Sequence, residues 1–208
     1  MMASNAFWRH PHPLTLASGS AARRALLEAA GIPLAVLKAP VDEGALAAKL
    51  LAALTPPRDI ALALAHAKAE AAQKAEPDAL ILTADQTLDH RGVLLMKPAD
   101  RAQARRQLGA LRGEEHLLHS AAVLRRGDAI LWAGAASARL AMRAFSDPFL
   151  DAYLDAMGPT VCETVGGYQL EALGVHLFES IEGDHATILG LPLLALLQAL
   201  RHHGLLAA

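Results

Sequence analysis

Several short stretches of this chain carry residue types suited to handling a polyanion. Ser18-Gly19-Ser20-Ala21-Ala22-Arg23-Arg24 follows an apolar run and opens a helical pattern. Free backbone N–H groups and the positive end of a helix dipole favour an anion at such a place. The two hydroxyls add donors, and the two arginines add planar forks that match phosphate oxygens. An N-capped surface helix with solvated arginines fits the same residues. Asp42-Glu43 follows a second apolar run, where open α/β sheets bind ligands. Paired carboxylates there suit a hard cation such as Mg²⁺, and equally a solvated loop. Asp85-Gln86-Thr87 puts an acid directly after an apolar run, placed to orient water or hold a metal, or to begin a turn. Lys97-Pro98 presents a lysine at a helix start. Lys68 lies near the helical stripe Ala61, Leu64 and Ala65, from which its ammonium can reach over a sheet edge. Singly, each lysine reads as a snorkelling surface side chain. Glu182-Gly183-Asp184 and Leu189-Gly190-Leu191-Pro192 combine glycines that permit close backbone approach with a strand–turn–helix punctuation.

Other chemistries find no support. The ten histidines show no H-E-x-x-H or similar ligand spacing and read as structural or solvated. There is no G-x-S-x-G elbow, no P-loop and no dinucleotide fingerprint. The single cysteine, Cys162, excludes a disulfide framework and a cysteine-based zinc site, and reads as a buried thiol. A net charge of −2, from 19 Lys+Arg and 21 Asp+Glu, argues against a nucleic-acid partner. The most apolar stretch, Ala186 to Leu197, contains Pro192 and is shorter than the roughly 20 residues of a membrane span. No membrane partner is therefore expected. The N-terminus has no apolar signal core, so the reading is a soluble cytoplasmic protein.

These residues must be carried by elements that the composition partly conceals. With 53% hydrophobic and 19% charged residues over 208 positions, the chain has ample material for one core or two lobes. However, it has 46 Ala and 38 Leu against 7 Val and 6 Ile, so strands lack their usual β-branched signature. Position and turn residues predict strands at 14–17, 34–38, 79–83 and 175–180, and a hairpin of 117–124 with 129–140. They predict helices over 21–30, 45–54, 58–75, 98–111, 146–157 and 193–202. Gly166-Gly167-Tyr168 marks a tight turn. Alternating strands and helices with one long hairpin imply an α/β fold with a mixed sheet.

In order along the chain, these pieces resemble the Maf-like nucleoside triphosphate pyrophosphatases. The matching residues are Leu16-Ala17-Ser18-Gly19-Ser20-x-x-Arg23-Arg24-x-Leu26-Leu27, Val41-Asp42-Glu43, Ala67-Lys68-Ala69, Ala84-Asp85, Lys97-Pro98, Gly166-Gly167-Tyr168, and Gly183-Asp184 through Gly190-Leu191-Pro192. The match runs from about Leu14 to Gly204, leaving 1–13 as an N-terminal extension to a single two-lobed domain. The resemblance implies an elongated mixed sheet flanked by helices, with a central cleft between the lobes and a fold compatible with a homodimer. It implies hydrolysis of nucleoside triphosphates, including modified ones, to the monophosphate and pyrophosphate with Mg²⁺ or Mn²⁺, a house-cleaning activity on nucleotide pools. A link to septum formation makes a nucleotide-binding regulator of cell division the alternative. By the same resemblance, Asp85 is the general base, and Glu43 binds metal or orients water, with both acids as metal ligands. Lys68 and Lys97, with Ser18, Ser20, Arg23 and Arg24, bind phosphates. Ala22, Gln86 and Glu171 occupy positions that separate subfamilies. Gln86 and Glu171 match the branch associated with 7-methyl-GTP, whereas Ala22 replaces its Trp. Ala21 and Met96 also depart from the family pattern, which has Pro and Gly there.

Overall fold

The computed structural model describes residues 6–38 and 40–208. The first five residues of the expected N-terminal extension lie outside them. The chain folds as an α/β protein around one mixed seven-stranded sheet. The strands are β1 (Leu14–Leu16), β2 (Leu34–Val36), β3 (Leu80–His90), β4 (Val93–Leu95), β5 (Glu115–Arg126), β6 (Ala129–Met142) and β7 (Phe178–Glu182). Their order is β2-β1-β3-β5-β6-β7, with β4 pairing β3. β1 runs parallel to β2 and β3, and the other pairs are antiparallel. The helices are α1 (Ala21–Ala29), α2 (Glu43–Ala52), α3 (Pro57–Ala75), α4 (Arg101–Leu111), α5 (Asp147–Met157), α6 (His185–Ile188) and α7 (Leu193–His202).

Small side chains explain how a sheet poor in Val and Ile is covered. The buried face of α3 is Ala61, Leu64, Ala65, Lys68, Ala69 and Ala72, a stripe at helical spacing. Ala61, Ala65 and Ala69 pack on Ala121 and Val123 of β5. Two larger cores form on the rest of the sheet. One joins Leu14, Leu16, Leu80, Leu82, Ala84 and Leu124 to Leu27 and to Leu196 and Leu200 of α7. The other joins Leu88, Leu118, Leu140 and Met142 to α4, α5 and Tyr168. Trp8 bridges to Leu206 and packs on the first core, so the described part of the extension is docked there.

Four sequence expectations are corrected. The acid after the central strand is not at its end, because β3 continues for 11 residues through Asp85 to His90. Polar Thr83, Asp85, Gln86, Thr87 and Asp89 hid that continuation, because Gln86 interrupts the strand-period alternation that Ala84 and Leu88 would otherwise mark. β4 was not foreseen. The strand expected at 175–180 lies at Phe178–Glu182, because Leu173–Leu177 winds into a 3₁₀ turn. Cys162 is half-buried against the second core rather than enclosed. Among the described residues, no helix is long and apolar enough to cross a membrane.

Candidate functional site

The site sits where the sheet is interrupted along one edge of β3. β1 pairs with Ile81 and Leu82, and β4 pairs with Leu88 to His90. The intervening residues, Thr83 to Thr87, have a strand neighbour only on the β5 side. The gap opens into a cavity of about 770 Å³ lined by both cores' loops, a volume suited to a small-molecule ligand. A gap in the ladder leaves backbone groups that need partners. The Ala84 carbonyl finds one in Arg23 Nη1, at 2.9 Å.

Arg23 is therefore not the solvated arginine that a plain surface helix would show. Ser20 caps α1, its Oγ accepting from Arg23 N, so the capping half of that expectation holds. The Arg23 guanidinium turns inward. Its Nε donates to Gly190 O at 2.8 Å, and Nη1 also donates to Ser18 Oγ at 2.9 Å. Three of its five N–H groups are thus used, and the pair on Nη2 has no protein acceptor among the described residues. Burial lowers its pKa from the ordinary value, against the opposing pull of Asp85 and Glu43. Gly190 makes this seat possible. Its φ of +99° disfavours other residues, and a Cβ there would lie 3.0 Å from Arg23 Nε.

Asp85 projects from β3 toward α3. Lys68 Nζ donates to its Oδ1 at 2.5 Å and meets Glu43 Oε1 at 3.0 Å. The ammonium thus joins two carboxylates from different elements. Thr83 and Thr87, two residues to either side of Asp85 on the same strand face, fix this register. Their hydroxyls donate to Ala65 O at 2.7 Å and Pro57 O at 2.8 Å, pinning α3 along β3. Burial raises the Asp85 pKa above the ordinary carboxylate value, and Lys68 and Arg23 oppose that rise without cancelling it. Asp42 and Glu43 are not a loop pair. Asp42 caps α2, accepting from Ala45 N at 2.9 Å, and leaves Glu43 as the first helical residue facing the cavity.

The structure gathers Ser18, Ser20, Ala22, Arg23, Glu43, Lys68, Asp85, Gln86, Lys97 and Glu171 around this cavity. Arg24 is exposed on α1 and does not line it, one helical step (about 100°) round from Arg23. Lys97 and Glu171 are exposed at the rim, with no ion pair among the described residues. Gln86 points to the opposite face of β3 from Asp85 and bonds to α6. Sequence reading missed the roles of Thr83 and Thr87, whose signal was their two-residue spacing about Asp85. It also missed the His116–Tyr168 hydrogen bond of 2.7 Å behind the Gly166-Gly167 turn, which no local pattern announces. Chemically, the cavity offers cationic and hydroxyl donors facing two carboxylates, one of them with a raised pKa. That set can bind a phosphate chain and take a proton beside it.

Residues 13–203 match the family described as "Maf-like protein". The chain belongs to the Maf-like family. Its curated relatives include proteins named nucleoside triphosphate pyrophosphatase from three bacteria. The one from Rhodopseudomonas palustris (strain BisB5) is 49% identical over 199 residues, covering 96% of this chain and 98% of the relative. Those from Paramagnetospirillum magneticum (strain ATCC 700264 / AMB-1) and Caulobacter vibrioides (strain ATCC 19089 / CIP 103742 / CB 15) are 50% and 47% identical. They cover 91% and 93% of this chain and 97% of each relative. The mixed sheet and flanking helices are those the Maf-like resemblance implied.

Proposed function

We propose that this Maf-like chain hydrolyses nucleoside triphosphates to the monophosphate and pyrophosphate, clearing non-standard nucleotides from the pool. The observation that carries this reading is the Asp85–Lys68–Glu43 bridge, which lines the same cavity as Arg23. Opening the α–β phosphoanhydride needs spread positive charge and an oriented water. Arg23 Nη2, Lys68, Lys97, Ser18 and the open N-terminus of α1 supply donors along a phosphate chain, with Ser20 holding that N-terminus. Asp85, with its raised pKa, takes the proton of the attacking water as the α–β bond breaks. Arg24, outside the cavity, contributes only to the surrounding positive potential.

The donor set also fits Mg²⁺ or Mn²⁺. Such ions are commonly held by one or two carboxylates together with substrate phosphates, rather than by an all-protein cage. Among the described residues no group of three or more His, Cys, Asp or Glu forms a cage. Glu43 and Asp85 would hold the ion, and it would neutralise charge developing on the phosphates. For the base, we propose a purine with a donor-bearing edge, including modified purines. Gln86 and Glu171 line the cavity and offer acceptor oxygens, and Ala22 leaves room without a stacking ring. The cytoplasm, where nucleotide pools lie, is the proposed location. The regulator of cell division draws no support from any feature of the cavity.

The test is pyrophosphate release from a panel of standard and modified nucleotides, including 7-methyl-GTP, UTP, dTTP and ITP. It is run with Mg²⁺ or Mn²⁺ and again with a chelator. Release that the chelator abolishes and either metal restores is expected. No release from any nucleotide overturns the reading, and pyrimidine preference overturns the assignment of the base.

A further inference from the structure

Gln86 is held in a way that reading a base does not require. Its Nε2 lies 2.9 Å from Ile188 O, 3.3 Å from Thr187 O and 3.0 Å from Ser120 Oγ. Ser120 is fully buried, and its hydroxyl donates to Thr187 O at 2.7 Å. Its oxygen can therefore only accept from Gln86. All three neighbours are acceptors, so the amide nitrogen must face them and the amide oxygen is turned away from them. The same short segment is capped by Asp184, whose Oδ2 accepts from Thr187 N at 3.0 Å and from Thr187 Oγ1 at 3.1 Å. Two residues beyond Ile188, Gly190 O receives Arg23 Nε. One backbone segment thus receives Gln86 and Ser120 at one end and the phosphate-side arginine at the other.

We propose that residues Asp184–Gly190 act as a strap coupling the base side of the cleft to its phosphate side, with Gln86 and Ser120 as the residues that position it. The proposal rests on the pyrophosphatase reading of the same cavity. In it, Gln86 has a second role besides facing the base. Its amide N–H groups hold the carbonyls of Thr187 and Ile188, and so fix where Gly190 presents its carbonyl to Arg23. Ser120 ties that amide to the segment, accepting from Gln86 Nε2 while donating to Thr187 O. Loosening either residue shifts Arg23, and with it the phosphate side, although neither residue is itself among the phosphate donors.

A ligand with phosphates and no base separates this from ordinary base recognition. Inorganic tripolyphosphate binding is measured for the wild type and for Gln86→Met, Ser120→Ala and Ser120→Thr, alongside KM, kcat and thermal midpoint. Gln86→Met keeps length and removes both amide groups. It is expected to weaken tripolyphosphate about fivefold, the effect of one lost hydrogen bond. Ser120→Ala should do the same, and Ser120→Thr, which keeps the hydroxyl, should restore the affinity. Folded Gln86→Met or Ser120→Ala with wild-type tripolyphosphate affinity overturns the coupling and leaves the pyrophosphatase reading intact. Failure of the wild type to bind tripolyphosphate overturns the coupling, and failure to release pyrophosphate from any nucleotide overturns the pyrophosphatase reading and the coupling with it. If Ser120→Ala does not fold, Gln86→Met, whose side chain is only half-buried, decides alone.

Discussion

Replacing His116 with glutamine should flatten the acid side of the protein's stability profile. His116 is 2% exposed, on β5 opposite Leu140 of β6, and its Nε2 bonds to the Tyr168 hydroxyl at 2.7 Å. Burial, helped by the nearby His90, lowers its pKa from 6.5 to about 4. The folded chain therefore keeps it neutral at pH values where the unfolded chain binds a proton. Its contribution to stability is fully present above pH 6.5 and is lost as pH falls toward 4. Integrating that difference, lowering the pH from about 7.5 to about 5 removes about 2 kcal/mol through this one group. Gln at 116 cannot titrate, yet can still meet the Tyr168 hydroxyl. His119 and His66, whose pKa values burial also lowers, continue to titrate in both proteins, so the comparison is between two slopes. Chemical denaturation of wild type and His116→Gln at the two pH values measures it. The wild type should lose about 2 kcal/mol more than the variant. Equal losses would show that His116 does not stay neutral, and the account of burial at the Tyr168 turn would fail.

Three further outcomes are expected. Asp85→Asn should lower kcat by roughly a hundredfold or more while nucleotide binding persists, if the carboxylate takes the proton; an unchanged kcat removes it from that role. Arg23→Ala should weaken triphosphate binding far more than nucleoside binding, measured by calorimetry, because Arg23 lines the cavity and its Nη2 has no protein acceptor among the described residues; equal losses would make it purely structural. Thr83→Val should cost about 1 kcal/mol in urea denaturation and lower kcat, because α3 loses a pin that holds Lys68 over Asp85. A stability loss with kcat intact would separate the pin from the site.

The amino-acid sequence determined the local devices of this protein. Ser20, Asp42, Asp100 and Ser146 cap helices α1, α2, α4 and α5, because a cap needs only a short polar side chain and the N–H three residues on. Pro and Gly punctuation placed most helices, and the order of short motifs carried the Maf-like resemblance. Strand extents were less legible, because Ala and Leu build these strands without the β-branched signature and Asp85 sits within one. The site was decided by tertiary structure. A gap between β1 and β4 along β3 opens the cavity, and no local pattern records which strands fail to meet. Asp85, Lys68 and Glu43 come from a strand and two helices, and threonine hydroxyls fix the separation of strand and helix. Arg23 and Arg24 are indistinguishable as letters. One helical step turns Arg23 toward Ala84 O and Gly190 O and leaves Arg24 in solvent, because only the folded chain has carbonyls there to receive it.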